Sequence, residues 1–387
     1  DVEVEYRESI SRWSVGPALL RSVSDLSATV DVRSPLTPTL GFPIVVSDRP
    51  DAQGTMALCF AEAGDSDKVL VLTCHHVLLK ADGETNDDYV FAGAGAPRKN
   101  AQLLGTRALD RLLNSIEMRI GRHGIMAAIY EGQIKRLEER ASGDDEDDVI
   151  ETRSSETCEA IEDLEKSYNE VKMEWGKACQ RTIGYIRSSP AIAFDVGPEG
   201  FIEDWGTLEL DGPKFKDAFK GNFVDLGAFQ SGSFSLMHSC DNDKPTFKYP
   251  NSRLLFLDII TEGRMRDLDV LDHDNEACLL VIKKRNATDI TIGRATGTFS
   301  FVRDDVTSQE SMEWTIYNYD RKSGVLSVPG DSGSIIVDGL GRIGGFLTGG
   351  TGRTETSYVT YATPMRWLWP RIKQHFPYTH LYPTAMA

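Results

Sequence analysis

The sequence predicts a largely β protein interrupted by a helical hairpin, and three observations carry that prediction. Short apolar runs divided by Gly, Asp and Asn recur from Gly54 to about Trp369. That is the spacing of an all-β barrel or sandwich. One long break in the pattern, from Ala101 to Thr182, carries two heptad seams instead. No self-similarity at the scale of a structural repeat is visible, which sets solenoids and propellers aside.

Each element can be justified in chain order. The first 45 residues are mixed and polar and end in Ser34-Pro35-Leu36-Thr37-Pro38, which reads as an arm or linker. Strand-like runs follow at Thr55 to Phe60, Lys68 to Thr73 and Tyr89 to Ala92. In the break, Leu109, Leu113, Ile116, Ile120, His123, Ala127, Tyr130, Ile134 and Leu137 step alternately by four and three. Gly121, Gly124 and Gly132 weaken that helix. An acidic turn, Gly143 to Asp148, precedes a second seam at Thr157, Ile161, Leu164, Tyr168, Val171, Trp175 and Ala178. Two such helices with a short connection fold back antiparallel. Strands then resume at Ala191 to Phe194, Gly206 to Leu210, Leu254 to Ile260, Cys278 to Lys283, Thr296 to Val302, Trp314 to Tyr317, Ser334 to Val337, Ile343 to Leu347 and Tyr358 to Ala362. Pro364 to Phe376 reads as a closing helix with Met365, Leu368, Trp369 and Ile372 on one face.

Composition narrows the function classes. The chain has 387 residues, 40% of them hydrophobic, and a formal net charge of −17. Acidic chains are poor partners for phosphate backbones and anionic lipid, so neither nucleic acid nor membrane is expected. No apolar run approaches the length of a membrane span. The opening residues Asp1 to Glu5 are acidic and do not read as a signal peptide. Six cysteines, Cys59, Cys74, Cys158, Cys179, Cys240 and Cys278, include no CxxC pair. Free thiols in a reducing compartment are expected, with Cys59 and Cys74 the pair most able to bridge. A cytoplasmic location is therefore expected, with secretion, hinted at by the sequon Asn286-Ala287-Thr288, as the alternative. No metal site and no cofactor are expected.

The chemistry concentrates in three stretches. Gly330-Asp331-Ser332-Gly333-Ser334 places a serine in a glycine-rich turn that can aim the amides of Gly330 and Ser332 at one point. Thr73-Cys74-His75-His76-Val77 ends the apolar run Val69 to Leu72 with a histidine just past it. His75 competes for the role of base, and the spacing from Thr73 favours His76. A weak serine nucleophile needs such a base, and the base needs an orienting carboxylate. Asp204, opening the alternating run Trp205 to Leu210, supplies one, with Asp195 and Asp211 as rivals.

The order His76, Asp204, Ser332 and the motifs around those residues resemble the chymotrypsin/trypsin family of serine endopeptidases. T-x-x-H-V is similar to its HtrA-like branch. The resemblance implies a fold of two packed six-stranded β-barrels, interrupted here by the helical hairpin, with the active site between them. It divides the chain into an arm (1–45), the first part of barrel one (46–100), the insertion (101–182), the rest of barrel one with a linker (183–240), and barrel two with the closing helix (241–387). It implies a polypeptide substrate, Ser332 as nucleophile, His76 as base, Asp204 as its orienter, and Gly330 and Ser332 amides as oxyanion donors. Substrate contacts would come from Thr348, Gly349 and Gly350 along one strand edge, from Leu326 at the base of the specificity pocket, and from Val359 at its wall. With no acidic residue at that base, a small or apolar side chain is expected before the cut.

The chain departs from the family pattern in three places. The insertion has no counterpart there and reads either as a self-packed decoration or as a docking or self-association arm. No Arg-Ile-Val-Gly-Gly site precedes the first barrel to release an N-terminus for Asp331, so Asp331 is expected to find another partner. Gly206 also stands where the family has an apolar residue. A protease-fold scaffold without activity, binding partners through the hairpin, is the alternative function.

Overall fold

The computed structural model describes residues 17–382, apart from 22, 24–26, 65, 80–84, 94, 141–144, 216–218, 220, 226–252, 256–257, 269, 273–275, 285–289, 305–306, 321–322 and 353–357. Cys240 and the glycine of the acidic turn, Gly143, lie outside the described residues.

The first half builds one closed antiparallel sheet. Its strands are β1 (Pro43–Val46), β2 (Arg49–Thr55), β3 (Cys59–Ala63), β4 (Ser66–Thr73), β5 (Asn100–Leu103), β6 (Thr182–Ser189) and, after β7 (Ala193–Val196) and β8 (Phe201–Glu203), β9 (Gly206–Leu210). β2 and β3 form one bent strand. The Met56 amide still bonds Phe42 on the β1 side, while the next amide, Ala57, bonds Leu72 on the β4 side. That bend closes the barrel. The pairing runs β1, β2/β3, β4, β9, β6, β5 and back to β1.

The second half repeats the plan with β10 (Ala277–Lys284), β11 (Ile290–Arg303), β12 (Glu310–Asn318), β13 (Ile335–Asp338), β14 (Ile343–Thr351) and β15 (Val359–Pro364). These pair in the order β10, β11, β12, β15, β14, β13 and back to β10. Numbered from one to six along the chain, both barrels have the spatial order 1-2-3-6-5-4. The fold is therefore a double β-barrel in which one strand order is used twice. Apolar residues fill both interiors, with Cys59, Val71, Ile186 and Leu208 in the first and Val281, Ile316, Leu326, Ile336 and Leu347 in the second. The short strands β7 and β8 leave the first barrel and join the second through a parallel bridge, Phe201 to Met312.

The inserted hairpin is α2 (Thr106–Arg140) and α3 (Asp145–Glu174). Its seam is real: Leu109, Ile116 and Ala127 on one helix and Leu164, Val171 and Trp175 on the other are buried. Ala178, the last expected seam position, lies beyond the helix and is exposed. The insertion also starts later than position 101, because Asn100–Leu103 pairs with both β1 and β6 as a barrel strand. At the root, buried Arg181 donates to the carbonyls of Leu104, Trp175 and Gly176 and ties both ends of the hairpin to the barrel.

Both flanks differ from expectation in the same way. Residues 17–42 are not a free arm: Leu19, Leu20, Val32, Leu36, Leu40 and Phe42 join the core, because a stretch that apolar gains more by burial than by solvation. The C-terminal helix α4 (Met365–His375) buries its Met365, Leu368, Trp369 and Ile372 face as the pattern predicts. It then leads into β16 (His380–Leu381), which pairs with β3 of the first barrel, so the chain ends its described course on the barrel where it began. Phe60 of the first barrel meets Trp369 and Phe376 edge to face on the way.

Candidate active site

The site grows from one strand pairing. β4 and β9 run antiparallel with Thr73 opposite Gly206. The chain after Thr73 and the chain before Gly206 therefore leave the sheet at the same end. Cys74 stays extended and caps a single helical turn, α1 (His75–Leu78), which turns His76 toward the incoming strand. Asp204 sits two residues before Gly206 and meets it there.

The two side chains are held in one orientation. His76 Nδ1 lies 2.5 Å from Asp204 Oδ2, and the His76 backbone amide donates to Asp204 Oδ1 at 3.1 Å. Both carboxylate oxygens are thus engaged by one residue. An ionised carboxylate accepts from Nδ1–H, which leaves the lone pair on Nε2. Burial, the largest influence, pushes the Asp204 carboxyl up, but the charge of His76 and its two hydrogen bonds outweigh it and hold the group below its ordinary value. Asp204 is 4% exposed and His76 34%, so the carboxylate is shielded while the imidazole faces the groove. His75 does something else: it is buried with Nδ1 2.9 Å from Ser189 Oγ. That pair explains Gly206, where a Cβ would fall 2.4 Å from Ser189 Oγ and 2.7 Å from Leu78 Cδ1. Asp195 lies on β7 among residues lining a neighbouring hollow, and Asp211 follows the far end of β9.

The serine loop is clamped between the barrels. Thr55 of the first barrel donates its amide to the Ser332 carbonyl at 2.8 Å and its hydroxyl to the Gly330 carbonyl at 2.9 Å. Gly333 donates to Leu347 of the second barrel at 2.8 Å. Gly330 and Gly333 both take positive φ, +97° and +87°. Gly333 could carry no side chain in any case, since a Cβ would lie 2.4 Å from the Thr55 carbonyl oxygen. Among the described residues the amides of Gly330 and Ser332 bond to no backbone carbonyl. Ser332 itself is half-buried. Thr73, three residues before His76, donates its hydroxyl to the Thr55 carbonyl, so the serine loop and the histidine hang on the same corner of the first barrel.

Asp331 has its partner. Lys283 Nζ on β10 reaches Asp331 Oδ2 at 2.7 Å, with both side chains at 1% exposure or less. The same oxygen accepts from the Val328 amide at 2.9 Å. The pair pins the loop from below. The sequence hinted at Lys283, since it is charged in the otherwise apolar run Cys278 to Ile282, but nothing local said which carboxylate it meets.

Beside His76 and Asp204 opens a cavity of about 490 Å³ between the barrels. It is lined by Ile192, Phe194 and Ile202 before β9, by Phe301, Arg303 and Ser311 of β11 and β12, and by Thr348, Gly349, Gly350 and Tyr361 of β14 and β15. The strand-edge residues expected to meet substrate are therefore at the groove. Leu326 is not. Its amide bonds to Asn318 Oδ1 and its carbonyl accepts from Thr291 Oγ1, which turns the side chain into the core of the second barrel. Val359 is half-buried opposite Thr351 and Tyr317 and lies outside the groove lining. Glu313, which the sequence did not single out, lines the groove, and burial pushes its carboxyl up to about 8.

Cys59 and Cys74 are free thiols. Burial and then the charge of Asp204 push the Cys74 thiol well above its ordinary range, and it donates to the Leu347 carbonyl. Cys74, His76 and Asp204 bring their donor atoms within 4.8 Å of one another. A protonated thiol and a carboxylate already engaged by His76 make that group a poor fit for a metal ion.

No family model matches the sequence, and no curated protein does either. Similar solved structures include protease A of Thermobifida fusca, at 9% identity over 89% of this chain and 97% of that one, with a TM-score of 0.37. The Nocardiopsis protease is similar at 10% identity over 89% of this chain and 98% of that one, with a TM-score of 0.38. The HtrA-type protease AlgW with a tripeptide is similar at 11% identity over 89% of this chain and 62% of that one, with a TM-score of 0.32. These likenesses are remote, and the geometry above stands without them.

Proposed function

We propose that the protein is a serine endopeptidase working through His76, Asp204 and Ser332. The observation that carries this reading is the His76–Asp204 pair, doubly hydrogen-bonded at the end of two paired strands whose Thr73 shares Thr55 with the Ser332 loop. A histidine whose Nδ1 is tied to a shielded carboxylate is held in the tautomer and orientation that proton transfer at Nε2 requires.

In this reading Ser332 Oγ attacks the peptide carbonyl while Nε2 of His76 takes its proton. Negative charge gathers on the carbonyl oxygen, and the amides of Gly330 and Ser332 hold it. His76 then gives the proton to the leaving amine, and the carbonyl carbon stays on Ser332 as an ester. Water, deprotonated by the same imidazole, attacks that ester and restores the serine. Asp204 keeps the tautomer and offsets the imidazolium charge in both steps. Lys283 holds Asp331, and with it the turn that points the two amides, with no need of a freed N-terminus. The site is ready as soon as the chain folds.

A fluorophosphonate probe tests this. The full chain is expected to label at Ser332, and Ser332→Ala and His76→Ala are expected not to. A well-folded wild type that stays unlabelled would sink the proposal and favour the inactive scaffold.

A further inference from the structure

We propose that the groove beside His76 receives a lysine or arginine side chain of the substrate peptide, close to the cleaved bond, with Glu313 as its counter-charge. The proposal rests on the peptidase reading and names its substrate class.

Glu313 sits on β12 at 3% exposure, yet it lines the groove. Its only side-chain donors among the described residues are two hydroxyls at long range, Ser311 Oγ at 3.3 Å and Thr348 Oγ1 at 3.4 Å. The Thr348 hydroxyl has a single proton and lies equally near the Tyr361 carbonyl, at 3.3 Å. Among the described residues no cation contributes to the surroundings of Glu313; the nearby charge is Asp204, which repels it. Burying a carboxylate on such terms is costly, and a missing cation would relieve the cost. A metal ion is a poor candidate, since hard cations ask for several oxygen ligands and Asp204 is committed to His76.

The surroundings point to the same occupant. Asp304 lines the groove with Glu313, and Asp195, Glu199 and Glu310 line the adjoining hollow of about 620 Å³. Among the described residues Arg303 is the one lysine or arginine lining either. Phe194 and Phe301 belong to both hollows, and Phe301 is 80% exposed. Aromatic faces at the mouth and a carboxylate at depth suit a long side chain with an apolar stem and a cationic end. An aliphatic side chain would fill the space but leave Glu313 without a counter-charge.

The test uses the full-length chain and internally quenched octapeptides carrying lysine, ε-acetyl-lysine or norleucine at each position in turn. At one position lysine is expected to exceed both others by ~10-fold in kcat/KM, which corresponds to about 1.4 kcal/mol. In Glu313→Gln that ratio is expected to fall to within about twofold. Equal turnover of the three peptides at every position, or a lysine preference that survives in Glu313→Gln, would overturn the proposal. The acetyl-lysine comparison needs no variant, so it decides the matter even if Glu313→Gln fails to fold. A binding arm separates the two readings. Fluorescein-labelled lysine and norleucine peptides are titrated into Ser332→Ala and followed by polarisation. Selective binding without hydrolysis by the wild type keeps the groove site and removes the peptidase; hydrolysis without selectivity does the reverse.

Discussion

The two barrels share one strand order but place polar groups in opposite ways. The first carries His76 and Asp204 at its rim, beyond the last paired residues Thr73 and Gly206, and fills its interior with Leu, Val and Ile. The second buries charge: Lys283 against Asp331 under the serine loop, and Glu313 beneath the groove. The difference follows from what each barrel holds. Strand ends are rigid, so the rim of a sheet suffices to fix an imidazole. The serine sits on a loop with two left-handed glycines, and such a loop keeps one shape only if something anchors it. A buried ion pair is weak evidence for stability, but losing one partner is costly, which makes it an effective anchor.

That contrast can be broken or sharpened by experiment. The largest effect is expected from the rim of the first barrel. Asp204→Asn should lower kcat by ~10⁴-fold, since the wrong tautomer then faces the serine. A steady-state assay against the labelled peptide reads it, and a loss below tenfold would remove Asp204 from its role. Next comes Lys283→Met, which leaves the Asp331 charge buried without its counter-ion. A loss of roughly 3–5 kcal/mol of stability is expected by urea unfolding, together with weaker fluorophosphonate labelling at temperatures where the protein is still folded. Full activity in Lys283→Met would mean that the loop needs no anchor and that the contrast fails.

Glu313→Gln offers a finer test through pH. Its carboxyl is pushed up in the native protein to about 8, from an ordinary 4.5. Between those two values the native state binds more protons than the unfolded one, so its contribution to stability falls as pH rises. The penalty is absent below about 4.5, grows through neutrality and is complete above about 8. The melting temperature of Glu313→Gln should therefore gain on the wild type between pH 5 and pH 9, read by paired thermal melts. A constant difference would place an ionised, already compensated Glu313 in the groove. The smallest effect is expected at Gly206→Ala, where a Cβ meets the Ser189–His75 pair. About 1–3 kcal/mol of stability should go, without the turnover loss of Asp204→Asn.

Much of this was legible in the sequence because it is local. The heptad seams need only the residues on their own helices, and the turn at Gly330 to Ser334 shows its chemistry in five letters. The His76 and Asp204 stretches are legible for the same reason: each is a strand end with a polar residue just past it. What stayed hidden depends on pairing over long distances. That Lys283 meets Asp331, 48 residues away, follows from barrel closure and from no local pattern. Glu313 looked like any polar residue alternating along a strand until the fold put it under a groove. Leu326 was misplaced because its side-chain direction is set by hydrogen bonds to Asn318 and Thr291. The 17–42 stretch looked like a linker because prolines and polar residues conceal how many of its aliphatics are buried.

The return of the chain to its starting barrel has a consequence for biosynthesis. β16 completes the edge of the first barrel beside β3, and α4 packs beside Asp204, with His375 edge-on to Trp205 at 5.1 Å. Both elements are made after every strand of both barrels. On the ribosome, the helix packed against Trp205, next to the carboxylate, therefore emerges after the strands that hold His76 and Asp204. The surroundings of Asp204 are therefore complete only after the strands that carry His76 and Asp204 have been made.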